Sequence, residues 1–298
     1  MAVQQTAFQQ FLENEVNKVK GIYYPVKAGF LTQAFARKAV PKKLHPNPGD
    51  EFCDPKIGPN YEIISGYEKQ YRQAGRNPNN LLYTDGEIKE PLMVEKTHPD
   101  GYMILNGHHR WAAAMRADMK KIRIKVINLT SDSDLQKMLS ASGFERSASL
   151  DLDEVVLRDA NDPDTEPPLR FLAGRAYKER LRKGIPALFN YLDRKGFDIW
   201  VFSTRYYSYE YLKYFFKRHH LRVTGIMTRA PKDTPENREI RERQGKMIDE
   251  RYKTALFIDN EMVSCTHSGT KAVEVRELKG DAVNWSREVM ETIERMKI

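Results

Sequence analysis

The sequence predicts an α/β protein with two domains, the second built on a doubly wound parallel sheet. Three short apolar segments in the second half each end in polar residues and are separated by helical patterns; they are Ser149–Leu157, Asp198–Arg205 and Thr254–Glu261. Apolar strands that alternate with helices are typical of a parallel sheet covered on both faces. The first half places a strand, a glycine turn and an Ala-rich helix within residues 102–115, which predicts a smaller α+β domain.

Chain length and one polar stretch predict where the two domains meet. At 298 residues the chain is long enough for about two ordinary domains, and a hydrophobic content of 40% is enough to fill two cores. Turn-forming residues cluster at Thr130–Asp134, ahead of a short helix at 135–140. We therefore expect a first domain at 1–134, a linker at 135–147 and a second domain at 148–298.

Two carboxylates stand two residues apart in the first apolar segment. If a strand runs through Ser149–Leu157, alternation places Asp151 and Asp153 on one face of the sheet. Two like charges at this spacing repel each other, so a cation is expected between them. One aspartate could then act as a nucleophile on phosphorus while the other transfers a proton.

The second apolar segment ends in groups that suit a phosphoryl ligand. Ser203 and Thr204 supply small hydroxyl donors, and Arg205 follows them directly. Hydrogen-bond donors and a guanidinium at the carboxyl end of a strand are typical of phosphate binding. These three residues are therefore candidate substrate-binding residues.

The third apolar segment supplies oxygen ligands for a hard cation. It ends in Asp259, with Asn260 next along the chain. Mg²⁺ keeps several waters and takes only one or two carboxylates, so Asp151, Asp259, Asn260 and a backbone carbonyl near Asp153 predict a magnesium site.

Helix-forming residues with helical apolar spacing fill the intervals between these segments. The predicted helices lie at 175–192, 207–220, 236–252 and 284–298, the first interrupted at Gly184-Ile-Pro186. The span between the first two polar strand ends leaves little room for a large inserted cap, so we expect an open site or one covered by the other domain.

Over about residues 146–298 these motifs resemble the haloacid dehalogenase (HAD) superfamily, phosphohydrolases that work through an aspartyl-phosphate. The matching positions are Asp151 as nucleophile, Asp153 as general acid/base, Ser203 as phosphate-binding hydroxyl and Asp259 as metal ligand. The run Ser203-Thr204-Arg205 is most similar to the phosphatase half of phage-type polynucleotide kinase-phosphatases. The resemblance also implies a basic residue that neutralises the phosphate. We favour Lys246 for this role, with Lys232 and Arg241 as alternatives.

The first half carries its own candidate anion site. Gly107, His108, His109 and Arg110 follow an apolar strand and open a helix. A glycine allows close backbone approach, the helix amino terminus offers free N–H groups, and an arginine adds a fork of donors. Adjacent histidines diverge, so a double-histidine metal site is less favoured.

Over about residues 20–130 this half resembles the ParB/sulfiredoxin fold. The Gly-Cys-His-Arg element of sulfiredoxin corresponds here to Gly107-His108-His109-Arg110, and the histidine in place of the cysteine argues against sulfinic-acid reduction. The nucleotide-binding branches of the fold imply a nucleotide or phosphate site at these four residues.

Charge and cysteine content limit which ligands and which cellular compartment are expected. The net charge of +8 and the pI near 9.2 favour phosphate-rich ligands. The basic clusters are short, so a nucleotide-sized polyanion is favoured over a long nucleic acid duplex. With Cys53 and Cys265 alone, neither a disulfide framework nor a zinc cluster is indicated. We expect a cytoplasmic protein without a membrane partner, and no oligomeric state is predicted.

Three functions remain open from the sequence. The first is a Mg²⁺-dependent phosphatase or phosphotransferase acting on a nucleotide or related phosphomonoester, with the first domain binding nucleotide and covering the site. The second is a bifunctional kinase-phosphatase whose kinase is the first domain. The third is a nucleic-acid-binding protein whose phosphatase trims strand ends.

Overall fold

The computed structural model describes residues 7–34, 37–75, 90–169, 177, 179–230, 234–270, 272–279, 284–296 and 298. The chain divides into two compact units. The first contains Met1–Asn128 and Lys232–Arg238, and the second contains Leu129–Pro231 and Glu239–Ile298. Each unit has its own hydrophobic core. Within the described part of the chain, every helix is too short or too polar to cross a membrane.

The amino-terminal unit is a mixed α+β structure. Its helices are α1 (Ala7–Val19), α2 (Phe30–Ala34), α3 (Tyr61–Gly75) and α4 (His108–Arg116). Its strands are β1 (Tyr24–Pro25), β2 (Arg37–Ala39), β3 (Leu44–His45), β4 (Leu92–His98), β5 (Tyr102–Asn106) and β6 (Ile122–Val126). The sheet order is β2-β6-β4-β5-β3, with β1 paired to β4.

The centre of this unit forms as its sequence predicts. In β6 the residues Ile122, Ile124 and Val126 are buried and their neighbours are exposed, the alternation of a strand with one covered face. Helix α4 buries Trp111 against this core, and the indole Nε1 donates to the carbonyl of Pro41 at 3.0 Å. The predicted strand, glycine turn and Ala-rich helix are confirmed.

The carboxyl-terminal unit alternates strands and helices. Its helices are α5 (Asp132–Ser140), α6 (Ile185–Arg194), α7 (Tyr209–Arg218), α8 (Pro235–Asp249, whose first residues are assigned to the other unit) and α9 (Trp285–Arg295). Its strands are β7 (Arg146–Asp151), β8 (Leu157–Arg158), β9 (Arg180–Leu181), β10 (Phe197–Ser203), β11 (Gly225–Thr228), β12 (Thr254–Ile258), β13 (Met262–His267) and β14 (Val273–Glu277).

The main sheet of this unit has the order β11-β10-β7-β12-β13-β14. The first four strands are parallel, and β13 and β14 extend the sheet as antiparallel strands. Within this sheet β7 is the first strand along the chain. The next two, β10 and β11, lie on one side of β7, and β12 lies on its other side. Ligands of such sheets bind at the carboxyl ends of the strands, where the strand order reverses. Here that point lies beside the end of β7.

Helices cover both faces of the parallel strands. One face packs against α6 and α9, with Leu150, Val201, Leu188 and Val289 in a single buried cluster. The other face packs against α5 and α8, with Trp200, Met227, Leu135 and Ile248 together. The mixed α/β class is therefore confirmed. The antiparallel strands β13 and β14 are an addition that the sequence prediction lacks.

The stretch predicted as a linker at 135–147 contains the short helix predicted at 135–140 and the start of β7. Helix α5 occupies Asp132–Ser140 and begins with a capping box, in which Ser131 and Asp134 bond to each other's backbone N–H. Leu135 and Met138 are buried in the core of the second unit, in one cluster with Trp200. The division of the chain therefore falls earlier, between Asn128 and Leu129.

The predicted helix at 175–192 starts later than expected. Residues 180 and 181 form β9, residues 175, 176 and 178 lie outside the described part of the chain, and α6 begins at Ile185. Gly184 adopts φ +85°, where an added Cβ would lie 2.1 Å from Ser286 Oγ. A left-handed glycine followed by Pro186 in the first turn sets the helix start. The other three helices agree with prediction to within a few terminal residues.

Candidate functional site

The strand β7 ends at Asp151, where the chain turns sharply. The side-chain Oδ1 of Asp151 accepts hydrogen bonds from the backbone N–H groups of Asp153 at 2.7 Å and Glu154 at 2.8 Å. A single π-helical turn, Leu152–Val156, follows. The expectation of a strand running through Leu157 is therefore wrong, because the Asp151 carboxylate caps a turn that stops it. Among the described residues no hydrogen bond is made to Oδ2 of Asp151.

Asp153 points from this turn toward the end of β10. Its carboxylate accepts from Ser203 Oγ at 3.0 Å and from the Thr204 N–H at 2.9 Å. Arg205 Nε lies 3.8 Å away, on a side chain that is 64% exposed, whereas the Asp153 side chain is 6% exposed. Burial raises the pKa of Asp153, and the nearby charge of Asp151 adds to this, although the bonds from Thr204 and Ser203 oppose it.

Strand register brings the three predicted motifs together. In the parallel pairing Phe202 lies beside Asp151, so Ser203 follows on the adjacent strand. On the other side Ile258 lies beside Leu150, so the next residue, Asp259, flanks the end of β7. Neighbouring strands are about 4.8 Å apart. The predicted residues of all three segments therefore meet at one edge of the sheet.

Asn260 belongs to a network of arginines beside this edge. Its side-chain Oδ1 accepts from Arg182 at 2.9 Å and from Arg158 at 3.3 Å. Arg182 is buried over the ring of Trp285, 4.0 Å from its centroid, and Trp285 Nε1 donates to the backbone carbonyl of Asn260 at 3.1 Å. Burial lowers the pKa of Arg182 to about 10, with the charge of Arg158 adding to the effect. The amide oxygen predicted to bind a cation is thus used to hold two guanidinium groups.

The remaining candidate ligands, two carboxylates, could supply only part of a magnesium coordination shell. Among the described residues, no group of three or more His, Cys, Asp or Glu side chains is arranged to hold a metal ion. Mg²⁺ needs only one or two carboxylates beside water. Asp151 and Asp259 flank each other across β7 and β12 and provide such a pair. The Asp153 side chain faces Ser203, which leaves its backbone carbonyl for the predicted role.

The basic residues predicted to neutralise the phosphate do not gather at one place. Lys246 Nζ forms an ion pair at 3.7 Å with Glu250, the residue that follows α8, and the Lys246 side chain is 77% exposed. It makes no hydrogen bond or ion pair with Asp151 or Asp153. Lys232 lies outside the described residues. Arg241 lies on α8, and its charge adds to the effect of burial in lowering the pKa of Arg229.

Arg229 is a residue that the sequence reasoning missed. It follows β11 directly, and its backbone N–H donates to the carbonyl of Ser203 at 3.1 Å. Within the described structure, its guanidinium Nε and Nη2 are buried without a hydrogen-bond partner. An arginine directly after the apolar run Gly225–Thr228 is the same strand-end signal that identified Arg205.

The turn at Gly107 in the other unit has a different character. Gly107 adopts φ +102°, and an added Cβ would lie 2.8 Å from Leu92 Cγ. His108 Nε2 accepts the backbone N–H of Asn47 at 3.2 Å, and His109 Nε2 accepts that of Asn60 at 3.0 Å. Both imidazoles therefore hold neighbouring loops onto the start of α4.

Arg110 is also engaged within the protein. Its guanidinium donates to the carbonyl of Glu90 at 2.6 Å and to Asn106 Oδ1 at 3.2 Å, and it lies 3.3 Å from the Glu90 carboxylate. The residue is 4% exposed. The structure thus brings the four predicted residues together at one turn and bonds the side chains of His108, His109 and Arg110 to neighbouring groups of the protein.

Comparison with known proteins identifies part of the amino-terminal half. Residues 80–143 match the ParB N-terminal domain family. Two structures of C-terminally truncated chromosome-partitioning protein ParB from Caulobacter crescentus are similar to this chain. The structure with CTP-γ-S has 24% identity and a TM-score of 0.25, covering 35% of this chain and 49% of that one. The structure with the centromeric parS site has 22% identity and a TM-score of 0.23, covering 35% and 46%.

The comparisons confirm the predicted ParB-like element for the residues that match. The similarity spans about half the length of the Caulobacter proteins. No curated protein matches the chain. The family match includes the Gly107–Arg110 turn and ends before β7.

Proposed function

We propose that the carboxyl-terminal unit is a Mg²⁺-dependent phosphatase or phosphotransferase of the HAD type, acting through an aspartyl-phosphate on a nucleotide or related phosphomonoester. One observation carries the proposal. The ends of β7, β10 and β12 lie side by side and place Asp151, Ser203 and Asp259 at one edge. A nucleophile, hydrogen-bond donors and a second carboxylate are the groups that this chemistry needs.

The geometry of Asp151 suits nucleophilic attack. Its Oδ1 is held by two backbone N–H groups, which fixes the carboxylate and leaves Oδ2 open. In the first step Oδ2 attacks phosphorus, the P–O ester bond breaks, and the departing oxygen takes a proton from Asp153. The raised pKa of Asp153 favours the protonated form that this step requires.

The donors at the end of β10 suit a phosphoryl group. Ser203 Oγ and the Thr204 N–H bond to the carboxylate of Asp153. A phosphoryl group offers oxygens of the same kind, so a bound substrate would compete for these donors and free Asp153 to face the leaving oxygen. In the second step the Asp153 carboxylate removes a proton from water, which attacks phosphorus and releases phosphate from Asp151. A phosphotransferase would use an alcohol in place of water.

Magnesium between Asp151 and Asp259 would neutralise the charge shared by the nucleophile and the phosphate. We expect EDTA to abolish hydrolysis of phosphomonoesters and Mg²⁺, rather than Zn²⁺, to restore it, because the available ligands are carboxylate oxygens. The measurement is phosphate release from p-nitrophenyl phosphate and a set of nucleoside monophosphates. Full activity in metal-free buffer would contradict a magnesium site at Asp151 and Asp259. Asp259→Asn should increase the Mg²⁺ concentration needed for half-maximal rate.

We also propose that the amino-terminal half binds a nucleoside triphosphate. The family match over residues 80–143 supports this, together with the left-handed Gly107 that opens α4. The test is a thermal-shift titration of the full chain with CTP and with ATP. A saturable increase in Tm supports binding. No shift with either nucleotide would contradict it, and a salt-sensitive affinity for duplex DNA would favour the nucleic-acid alternative.

A further inference from the structure

Arg229 is half-buried in a position that has no obvious structural purpose. Its guanidinium lies over the ring of Phe202 at 5.4 Å from the centroid. Two of its nitrogens, Nε and Nη2, are buried and make no hydrogen bond within the described part of the chain. A buried cation normally has a carboxylate or carbonyl partner, because the loss of hydration is otherwise uncompensated.

The surrounding charge makes this position less favourable still. Burial, together with the positive charge of Arg241 on α8, lowers the pKa of Arg229 to about 10. Arg205, a third cation, follows the neighbouring strand and is mostly exposed. A half-buried arginine near a second cation, with two guanidinium nitrogens unbonded among the described residues, is typical of a site that binds a negatively charged ligand.

The position of Arg229 relates it to the phosphate-binding turn. Its backbone N–H donates to the carbonyl of Ser203, and Phe202, beneath its guanidinium, pairs with Asp151 in the sheet register. Arg229 therefore lies one strand beyond Ser203, on the side away from β7.

We propose that Arg229 forms an anion subsite that takes a second phosphate group of the substrate. The inference rests on the proposed function for the identity of this anion. Two sources share the chemistry, a nucleoside bisphosphate and the end of a phosphorylated strand. In both, one phosphate reaches Asp151 and another lies against the guanidinium of Arg229.

The test is binding of adenosine 3′,5′-bisphosphate and of the two adenosine monophosphates, measured by calorimetry in an Asp151→Asn background that blocks turnover. We expect the bisphosphate to bind about tenfold more tightly than either monophosphate, the change for one charge-assisted contact. Arg229→Met should bring this ratio close to one. Arg194→Met, at an exposed arginine on α6, is the matched control and should leave the ratio as it is.

Two results would contradict the subsite. The first is a preference for the bisphosphate over the monophosphates that persists in Arg229→Met. The second is an equal loss of affinity for the bisphosphate and both monophosphates, which would place Arg229 in the first phosphate site. A 3′-phosphorylated dinucleotide that shows a larger Arg229-dependent gain than the bisphosphate would identify a strand end as the source. Absence of any phosphatase turnover in the wild-type chain, with the ratio preserved, would contradict the proposed function and leave the subsite standing.

Thermal unfolding of the ligand-free protein provides a second readout. Met keeps the apolar contact with Phe202 and removes a guanidinium whose Nε and Nη2 are buried without a hydrogen bond among the described residues, so Arg229→Met should raise Tm. A Tm lowered by several degrees would identify Arg229 as a structural residue and overturn the proposal.

Discussion

Two turns in this protein each place an arginine just after an apolar strand, and the two arginines differ in their surroundings. Both follow an apolar strand, and both contain an arginine with small or polar neighbours, at Gly107–Arg110 and at Ser203–Arg205. In the first turn Arg110 is 4% exposed and bonded to the carbonyl of Glu90. In the second turn Arg205 is exposed beside Asp153. The comparison shows that a strand-end motif predicts where donors gather, while long-range partners decide whether those donors remain available.

The largest expected effect concerns the second turn and its nucleophile. Asp151→Asn should lower phosphomonoester turnover by roughly 10³-fold or more, because an amide cannot attack phosphorus. The fold should persist, since the Asn carbonyl oxygen can still accept the N–H groups of Asp153 and Glu154. Asp159→Asn is a matched control, because Asp159 caps the N–H of Asn161 in an exposed turn. Steady-state kinetics and circular dichroism measure both.

The next largest effect concerns Asp153, whose contributions to catalysis and to stability can be measured separately. Asp153→Asn should lower kcat by about 10²–10⁴-fold, the usual contribution of a general acid/base. Burial raises the pKa of Asp153 in the folded protein, so the folded state holds this proton more tightly than the unfolded state. The free energy of unfolding should therefore fall as the pH rises from the ordinary aspartate pKa to the raised one.

Urea unfolding at several pH values across that window measures how steeply the free energy of unfolding changes with pH. Asp153→Asn should flatten this dependence, because the titrating group is gone. An unchanged slope in the variant would mean that Asp153 has an ordinary pKa, which would weaken its assignment as the proton donor.

A paired substitution compares the two turns directly. Arg110→Met should lower the free energy of unfolding by about 2–3 kcal/mol, because it leaves the Glu90 carbonyl and Asn106 without a charged donor. Arg205→Met should change stability by less than about 0.5 kcal/mol and lower kcat/KM by about tenfold. Chemical denaturation and kinetics on both variants provide the readout. Equal stability losses would contradict the contrast between the turns.

The smallest effect concerns Asn260. Asn260→Ala should lower the free energy of unfolding by about 1–2 kcal/mol, since Arg182 and Arg158 lose their shared acceptor. The Mg²⁺ concentration that gives half-maximal rate should be unchanged. A large increase in that concentration, with stability preserved, would restore Asn260 as a metal ligand.

The sequence predicted the parts of the fold that depend on local patterns. The strands ending near Asp151, Ser203 and Asp259 were predicted because each is a run of apolar residues followed by polar ones. The same pattern extended the first strand too far, since Val155 and Val156 are apolar and buried but lie in a turn. That turn is set by a side-chain cap on two N–H groups, which alternation does not reveal.

Partners distant in the chain were the main limit on predicting the site. Asn260 has oxygen chemistry that suits a cation, and its contact with Arg182 becomes visible only in three dimensions. Arg229 carried the same strand-end signal as Arg205, but its burial beside Phe202 depends on packing between strands and helices. In both cases residue type indicated the chemistry, and the packed structure determined its use.

Covalent labelling tests the central claim most directly. A chain incubated with Mg²⁺ and a ³²P-labelled phosphomonoester that it turns over should, after acid quenching, retain label on the peptide containing Asp151. Asp151→Asn should retain none, and Asp159→Asn should label as the unaltered chain does. Turnover without label on Asp151, or label that persists in Asp151→Asn, would contradict an aspartyl-phosphate formed at the end of β7.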